Sequence, residues 1–171
     1  MDALKERIRH VPDFPKPGIL FYDITTLMKD AAGFRASVDA MAAPYKDQKV
    51  DLVVGIESRG FIFGAAVADR LGAGFAPVRK LGKLPSATRR ASYSLEYGTD
   101  ALEIHEDAIA PGQKVLVVDD LLATGGTAAA TCHLIEKLGG RVTRLLFLVE
   151  LAFLDGRTRL PGREIYAPLV F

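Results

Sequence analysis

Residues 115–127 read VLVVDDLLATGGT, and this stretch decides the fold. The apolar run 115–118 is typical of a strand that is covered on both faces of a parallel sheet. Two carboxylates, Asp119 and Asp120, come at its end, and a turn of small residues then opens a helical segment. Ligands of open α/β sheets bind beyond the carboxyl ends of the strands. The stretch therefore predicts a binding site at that edge.

The rest of the chain repeats this alternation of strand and helix. Apolar runs predict strands over 52–56, 74–79, 114–118 and 141–151. Helical patterns predict helices over 60–71, 126–138 and, capped by Asp30, up to about Tyr45. Such alternation predicts an α/β fold with a mostly parallel sheet flanked by helices. A length of 171 residues fits a single domain, 1–171.

Two regions lie outside this repeat. Residues 10–24 contain three prolines and a glycine, so turns and a short extended piece are expected there. Residues 80–99 are rich in serine, glycine, lysine and arginine, and are expected to be loop-like or hairpin-like. Long segments without a strong element of their own are often functional.

Composition limits the class of protein. The chain is 49% hydrophobic, enough for a sizeable core, and its net charge is only +1. This balance gives no electrostatic reason to expect nucleic acid or a membrane surface as a partner. The single cysteine, Cys132, is expected in the core and excludes an internal disulfide, which favours a reducing cytoplasm. No signal-peptide core and no apolar run of membrane-spanning length is expected.

The turn after the acidic pair has the chemistry of a phosphate site. Its members are Ala123, Thr124, Gly125, Gly126 and Thr127. Backbone N–H groups at a helix N-terminus bind anions, and the two threonines add hydroxyl donors. Asp119 and Asp120 can accept hydrogen bonds from vicinal hydroxyls such as those of a ribose, and they can lie near a magnesium ion. Together these features predict a cradle for a ribose 5-phosphate.

Other nucleotide and metal motifs are not supported. Residues 55–60 have the glycine spacing of a P-loop, but Phe61 and Ile62 replace the required Lys and Ser/Thr. The G-x-G-x-x-G fingerprint of dinucleotide sites is absent. No cluster of histidine and cysteine predicts structural zinc.

At residues 118–127 the chain resembles the type I phosphoribosyltransferases, and within them the branch that acts on adenine. The resemblance extends in order along the chain. It covers the base-binding segment PGILFYDITT at 17–26, the pyrophosphate loop ESRGF at 57–61, and the hood segments RKLGKLP at 79–85 and SYSLEYG at 92–98. Tyr22 and Thr26 depart from the family, since many members have Arg and Pro there. The second change is expected to loosen its turn.

The resemblance implies a Rossmann-like core with a small hood and a flexible loop, formed by residues 1–30 and 80–105. It implies an enzyme that transfers the phosphoribosyl group of phosphoribosyl pyrophosphate (PRPP) to adenine, giving AMP and pyrophosphate in purine salvage. The adenine ring is expected to lie between Phe21 and Leu121 and to be read by the backbone at Leu20 and Tyr22. Glu96, in a mobile lid, is expected to take the purine proton.

The pyrophosphate is expected to meet positive charge. Arg59 directly follows a strand end and, with Ser58, is the candidate for contacting it. The other candidates in PRPP binding are Arg79, Lys80, Lys83 and His105, although a surface histidine is an equal interpretation of the last. The resemblance further implies a homodimer in which Arg79 or Lys80 reaches the partner's site, and magnesium carried by PRPP.

Three alternatives remain open from the sequence. One is the same chemistry on another base. The second is a PRPP-binding regulator without catalysis, which the lack of a basic excess or an added DNA-binding domain disfavours. The third is a generic phosphate-sugar binding module, which would not need the hood loop or Glu96.

Overall fold

A computed structural model describes residues 1–94 and 99–171 of the chain. Its helices are α1 (Asp2–Lys5), α2 (Thr25–Met28), α3 (Ala31–Ala42), α4 (Gly60–Leu71) and α5 (Gly126–Lys137). Its strands are β1 (Arg9–Pro12), β2 (Leu20–Asp23), β3 (Leu52–Ile56), β4 (Gly74–Lys80), β5 (Thr88–Ser94), β6 (Thr99–His105), β7 (Lys114–Leu122), β8 (Arg141–Glu150), β9 (Ile165–Tyr166) and β10 (Leu169–Val170). Short 3₁₀ turns cover Ala43–Tyr45, Ala152–Leu154 and Gly156–Arg159.

The main sheet is mostly parallel, as the sequence predicts. Its strand order over the described residues is β10-β8-β7-β3-β4-β6-β5, and β9 also pairs with β8. The strands from β10 to β4 run parallel, whereas β6 and β5 are antiparallel. β1 and β2 form a separate antiparallel pair. Because neighbouring parallel strands end at one edge, the segments after β3, β4 and β7 come together.

Two apolar clusters cover the two faces of the sheet. In β7, Val115 and Val117 belong to the first cluster, with side chains of α5, β5 and β6. Leu116 and Val118 belong to the second cluster, with side chains of α3 and α4. Successive side chains of a strand point to opposite faces, so an unbroken apolar run is required where both faces are covered. Cys132 lies in the first cluster and is buried, as predicted.

Local signals mark the start of α3 and the end of α4 where the sequence predicts, whereas α3 ends at Ala42, before the predicted Tyr45. Asp30 caps α3 by accepting a hydrogen bond from the Gly33 N–H at 2.9 Å. Gly72 closes α4 at φ +63°, in the left-handed region that glycine adopts without strain. Within the described ranges, no helix has the length and apolar character needed to cross a bilayer.

β7 is longer than the predicted strand, which ended at Val118. It continues to Leu122, so Asp119 and Asp120 lie inside the strand and not beyond it. The reason is β8, a strand of ten residues that stays paired with β7 as far as the Leu122–Glu150 register. The acidic pair is thereby held on a rigid ladder.

Candidate active site

Two adjoining cavities lie at the carboxyl edge of β3, β4 and β7. The larger is a cleft of about 490 Å³ lined by Glu57, Ser58, Arg59, Lys80, Tyr93, Leu102, Asp119, Asp120 and Thr127. The smaller is a hollow of about 80 Å³ lined by Asp119, Leu121, Leu122, Ala123, Thr124, Gly125, Thr127, Ala128 and Phe147. Asp119 and Thr127 line both cavities, so one ligand can occupy the two together.

The hollow lies at the N-terminal end of α5. Gly125 precedes the helix at φ +80°, and its carbonyl accepts the Ala129 N–H at 3.0 Å. A Cβ atom at Gly125 would lie 2.3 Å from the carbonyl oxygen of Gly156. Glycine is therefore required here by backbone angle and by space. The N–H groups and the helix dipole make the hollow suitable for a small anion.

Asp119 is held against the start of α4. Its Oδ1 accepts the Asp120 N–H at 2.8 Å, and a Cβ atom on Gly60 would lie 2.7 Å from that same oxygen. Burial raises the pKa of the Asp119 carboxyl well above its ordinary value, and the charge of Asp120 raises it further. A carboxyl of this kind can hydrogen-bond sugar hydroxyls with or without its proton.

Arg59 and Asp120 form an ion pair across the cleft. The guanidinium Nε donates to Asp120 Oδ2 at 2.6 Å. The Asp120 side chain is only 10% exposed, whereas that of Arg59 is 42% exposed and faces the cleft. Burial lowers the pKa of Arg59, but the hydrogen bond to Asp120 and the charges of the nearby aspartates together outweigh burial and leave the pKa raised. The cleft thus holds a fixed cation beside the acidic pair.

The Arg79 side chain makes its hydrogen bonds to residues of its own chain. Its Nε and Nη2 donate to the two carboxylate oxygens of Glu57 at 3.2 Å each, and its Nη1 donates to the Lys83 carbonyl at 3.1 Å. The Lys80 N–H also donates to Glu57, at 2.9 Å. The sequence analysis did not predict that Glu57 would hold Arg79 and Lys80 in place. An acidic residue after one strand and basic residues at the end of the next strand could have indicated this pairing.

Glu103 is a second anchor that sequence reasoning missed. Its side chain is 1% exposed. It accepts the N–H groups of Lys83 and Leu84 at 3.1 and 3.3 Å and the hydroxyl of Thr88 at 3.2 Å. Burial raises the pKa of Glu103, but these hydrogen bonds outweigh it and the pKa is lowered. The carboxylate therefore fixes the connection between β4 and β5.

The segment predicted to bind the base, residues 17–26, includes β2 of the separate antiparallel pair. Phe21 packs edge-on against Phe14 with ring centroids 5.1 Å apart, and Leu20 is exposed. Tyr22 packs against Phe171 at 4.4 Å. Leu121 lines the hollow and, like Tyr22, packs against the second apolar cluster. Of the four residues predicted to bind adenine, Leu121 is the one among the residues lining the two cavities.

Thr26 does not loosen its turn. Its hydroxyl donates to the Arg7 carbonyl at 2.6 Å and accepts the Arg9 N–H at 3.1 Å. These bonds tie the start of α2 to the segment that enters β1. A proline at this position has no hydroxyl to make them.

Of the described residues predicted to bind PRPP, Gly126, Arg79, Lys83 and His105 are not among those lining the two cavities. Lys83 contributes its backbone to the anchors described above. His105 pairs with Thr88 at the far end of β6, three residues beyond Leu102, which lines the cleft. At about 3.3 Å per residue this is roughly 10 Å away. Glu96 lies outside the described residues.

Comparison with known proteins identifies the family and supports the fold. The phosphoribosyl transferase domain family matches residues 25–161. Adenine phosphoribosyltransferase of Acidobacterium capsulatum is 60% identical over 98% of this chain and 93% of its own. The crystal structure of the Thermoanaerobacter pseudethanolicus enzyme of that name superposes with a TM-score of 0.96 at 54% identity, over 99% of both chains. The Saccharomyces cerevisiae structure, complexed with adenine and an imino-altritol bisphosphate, has a TM-score of 0.92 at 41% identity, over 97% and 96% of the chains. This chain therefore belongs to the adenine phosphoribosyltransferases, within the phosphoribosyltransferase family.

Proposed function

We propose that this chain transfers the 5-phosphoribosyl group of PRPP to adenine, forming AMP and releasing pyrophosphate. One observation carries the proposal. Asp119 lines both the anion hollow and the cleft, and Asp120 and Arg59 line the cleft beside it. This order matches the phosphate, the ribose and the pyrophosphate of PRPP. Relatives that carry the name adenine phosphoribosyltransferase support adenine as the base.

The phosphate turn and the acidic pair bind the ribose 5-phosphate half. Backbone N–H groups at the start of α5 and the hydroxyls of Thr124 and Thr127 donate to the phosphate. Asp119 and Asp120 accept from the ribose hydroxyls. Because the acids lie on paired strands, the sugar is oriented by a rigid support, which favours reaction at its anomeric carbon.

The cleft receives the leaving group. The purine N9 bonds to the anomeric carbon as the bond from that carbon to the pyrophosphate oxygen breaks, through an oxocarbenium-like state. Arg59, with Ser58 and Lys80 beside it, stabilises the departing negative charge. Arg59 exchanges part of its bond to Asp120 for pyrophosphate oxygens. Glu96 takes the proton that leaves the purine ring.

The adenine ring is held by the hairpin and by Leu121. Phe21 stacks on one face of the ring and Leu121 covers the other, while backbone groups at Leu20 and Tyr22 read its edge. We further propose that residues 1–171 act as one domain. In this arrangement residues 1–30 and 80–105 form the hood, which closes over the substrates and excludes water.

Magnesium is proposed to arrive with PRPP. Within residues 1–94 and 99–171, no group of three or more acidic, histidine or cysteine side chains is placed to hold a metal ion. The Asp119–Asp120 pair supplies oxygen atoms, which Mg²⁺ prefers, and substrate oxygens and water would complete the shell. When bound, the ion would neutralise charge on the pyrophosphate.

We also propose that the enzyme is a cytoplasmic homodimer of purine salvage. Ile62, Phe75 and Leu81 are exposed apolar side chains of α4, β4 and the residue after β4. Phe61 packs against Phe75 at 6.2 Å, and the Arg79 guanidinium lies 5.9 Å from the centre of the Phe61 ring. A twofold interface on this face would cover it and would place Arg79 between two sites.

The activity is tested with PRPP, magnesium and one base at a time. We expect adenine to give AMP and pyrophosphate. A faster reaction with hypoxanthine or uracil would overturn the choice of base. Binding of PRPP without any product would instead favour the regulator.

The dimer is tested by mixing two inactive variants. Arg79→Ala subunits are combined with Asp119→Asn subunits under conditions of subunit exchange. If Arg79 serves the partner's site, a mixed dimer has one intact site and activity partly returns. No recovery, with exchange confirmed, would show that Arg79 serves the site of its own subunit or no site at all.

A further inference from the structure

The phosphate turn, residues 123–127, is backed by a segment that follows β8. A Cβ atom on Gly156 would lie 2.1 Å from the carbonyl oxygen of Ala123. In the other direction, a Cβ atom on Gly125 would lie 2.3 Å from the carbonyl oxygen of Gly156. The two backbones are therefore in direct contact. Behind the anion hollow there is therefore no room for a side chain at Gly125 or at Gly156.

An ion pair holds that segment in place. Glu150 is the last residue of β8 and is 6% exposed. Arg157, next to Gly156, donates from Nε and Nη2 to its two carboxylate oxygens at 2.6 Å each. This forked pairing fixes orientation as well as distance. Glu150 also pairs in register with Leu122, the residue from which the phosphate turn departs.

We propose that Glu150, Gly156 and Arg157 form a brace that positions the phosphate turn for the ribose 5-phosphate. The inference rests on the proposed function, since it concerns the subsite for the 5-phosphate. These residues touch no substrate and are positioning residues. The brace links the ends of β7 and β8 with the backbone behind the hollow, so a shift of the segment moves the N–H groups that face the anion.

The contact distances predict a selective effect on one ligand. The Glu150 side chain is only 8% exposed, so removing the Arg157 cation would leave a buried charge unpaired and would destabilise the fold, whereas a substitution that keeps the cation avoids that loss. The position of the phosphate turn is more sensitive to such a change, because a displacement of about 1 Å in a site can lower the reaction rate about 100-fold. The effect should therefore appear in binding of the phosphate and not in binding of pyrophosphate or adenine.

Two variants test the brace, and one glycine variant serves as a control. Gly156→Ala adds the methyl group that meets the Ala123 carbonyl. Arg157→Lys keeps the charge opposite buried Glu150 but removes the fork. The control is Gly74→Ala, where the added carbon meets the flexible Leu52 Cδ1 at 3.2 Å. Each protein is titrated calorimetrically with ribose 5-phosphate, with pyrophosphate and with adenine, and its thermal unfolding is recorded.

We expect Gly156→Ala to bind ribose 5-phosphate about ten-fold or more weakly and Arg157→Lys about three-fold or more weakly. Pyrophosphate and adenine should change less than about two-fold, and the Gly74→Ala control should resemble wild type. Unchanged ribose 5-phosphate affinity, or an equal loss for all three ligands, would overturn the brace. If Gly156→Ala does not fold, Arg157→Lys decides. Failure of wild type to bind ribose 5-phosphate would instead overturn the proposed function, and the brace with it.

Discussion

Asp119→Asn is expected to make the protein more stable and much less active. The change keeps the shape of the side chain and removes its charge. Burial and the charge of Asp120 raise the pKa of the Asp119 carboxyl, so its ionised form is disfavoured in the folded state. An amide in the same place has no charge to bury. We therefore expect the ionised carboxylate of Asp119 to oppose folding at neutral pH, as charged groups at active sites often do.

The loss of activity follows from the hydrogen bonds to the sugar. A hydrogen bond to a charged group contributes about 1.5–3 kcal/mol. At about 1.36 kcal/mol per factor of ten, kcat/KM for PRPP should fall about 10- to 160-fold. Adenine affinity should stay near wild type, because no adenine-binding residue is altered.

The pH dependence has a defined sign. A carboxyl with a raised folded-state pKa binds its proton more tightly in the folded protein, so stability falls as pH rises from its unfolded value, near 3.8, through the raised value. Asp119→Asn lacks this decline. Its melting temperature should exceed that of wild type at neutral pH, and the difference should shrink in acid.

Scanning calorimetry from acid to neutral pH measures this effect, with PRPP and adenine kinetics on the same samples. The matched control is Asp120→Asn, which should lower kcat/KM for PRPP in the same way. It should gain no stability, because Arg59 loses its anionic partner. That loss is about 1 kcal/mol for a pair whose cation is 42% exposed, or about 2–4 °C. An Asp119→Asn variant that melts below wild type at neutral pH would refute the assignment of a disfavoured charge.

Three further changes separate the roles of other residues. Glu96→Gln should lower kcat with little change in PRPP affinity, and a purely thermal effect would contradict a role in proton transfer. Phe21→Ala should raise KM for adenine about 5- to 160-fold, since base stacking on an aromatic ring contributes about 1–3 kcal/mol, while KM for PRPP stays constant. Glu103→Gln should lower the unfolding free energy by about 1–3 kcal/mol. Because the pKa of Glu103 is lowered, this difference should be largest at neutral pH and vanish as pH falls through the folded value; a difference that grows in acid would contradict it.

Much of the fold follows from local signals in the chain. The unbroken apolar runs at 52–56 and 115–118 predict buried parallel strands, and both lie in the sheet. Gly72 and Asp30 mark helix ends because a backbone angle and a side-chain cap are local properties. The acids and small residues of 119–127 likewise predict the anion hollow, because the turn chemistry is written in consecutive residues.

Other features depend on residues that meet only in three dimensions. The length of β7 depends on pairing with β8, and the partner of Arg59 lies 61 residues away in the chain. The proton affinity of Asp119 depends on burial, a property of its surroundings and not of its own type. Gly156 behind the phosphate turn has no signal in the local pattern, because its requirement comes from the Ala123 carbonyl across a tertiary contact. The sequence by itself determined the fold class and predicted a phosphate site. Only the tertiary structure decided which charges pair, which carboxyl resists ionisation and what supports the turn, since these depend on distances between segments far apart in the chain.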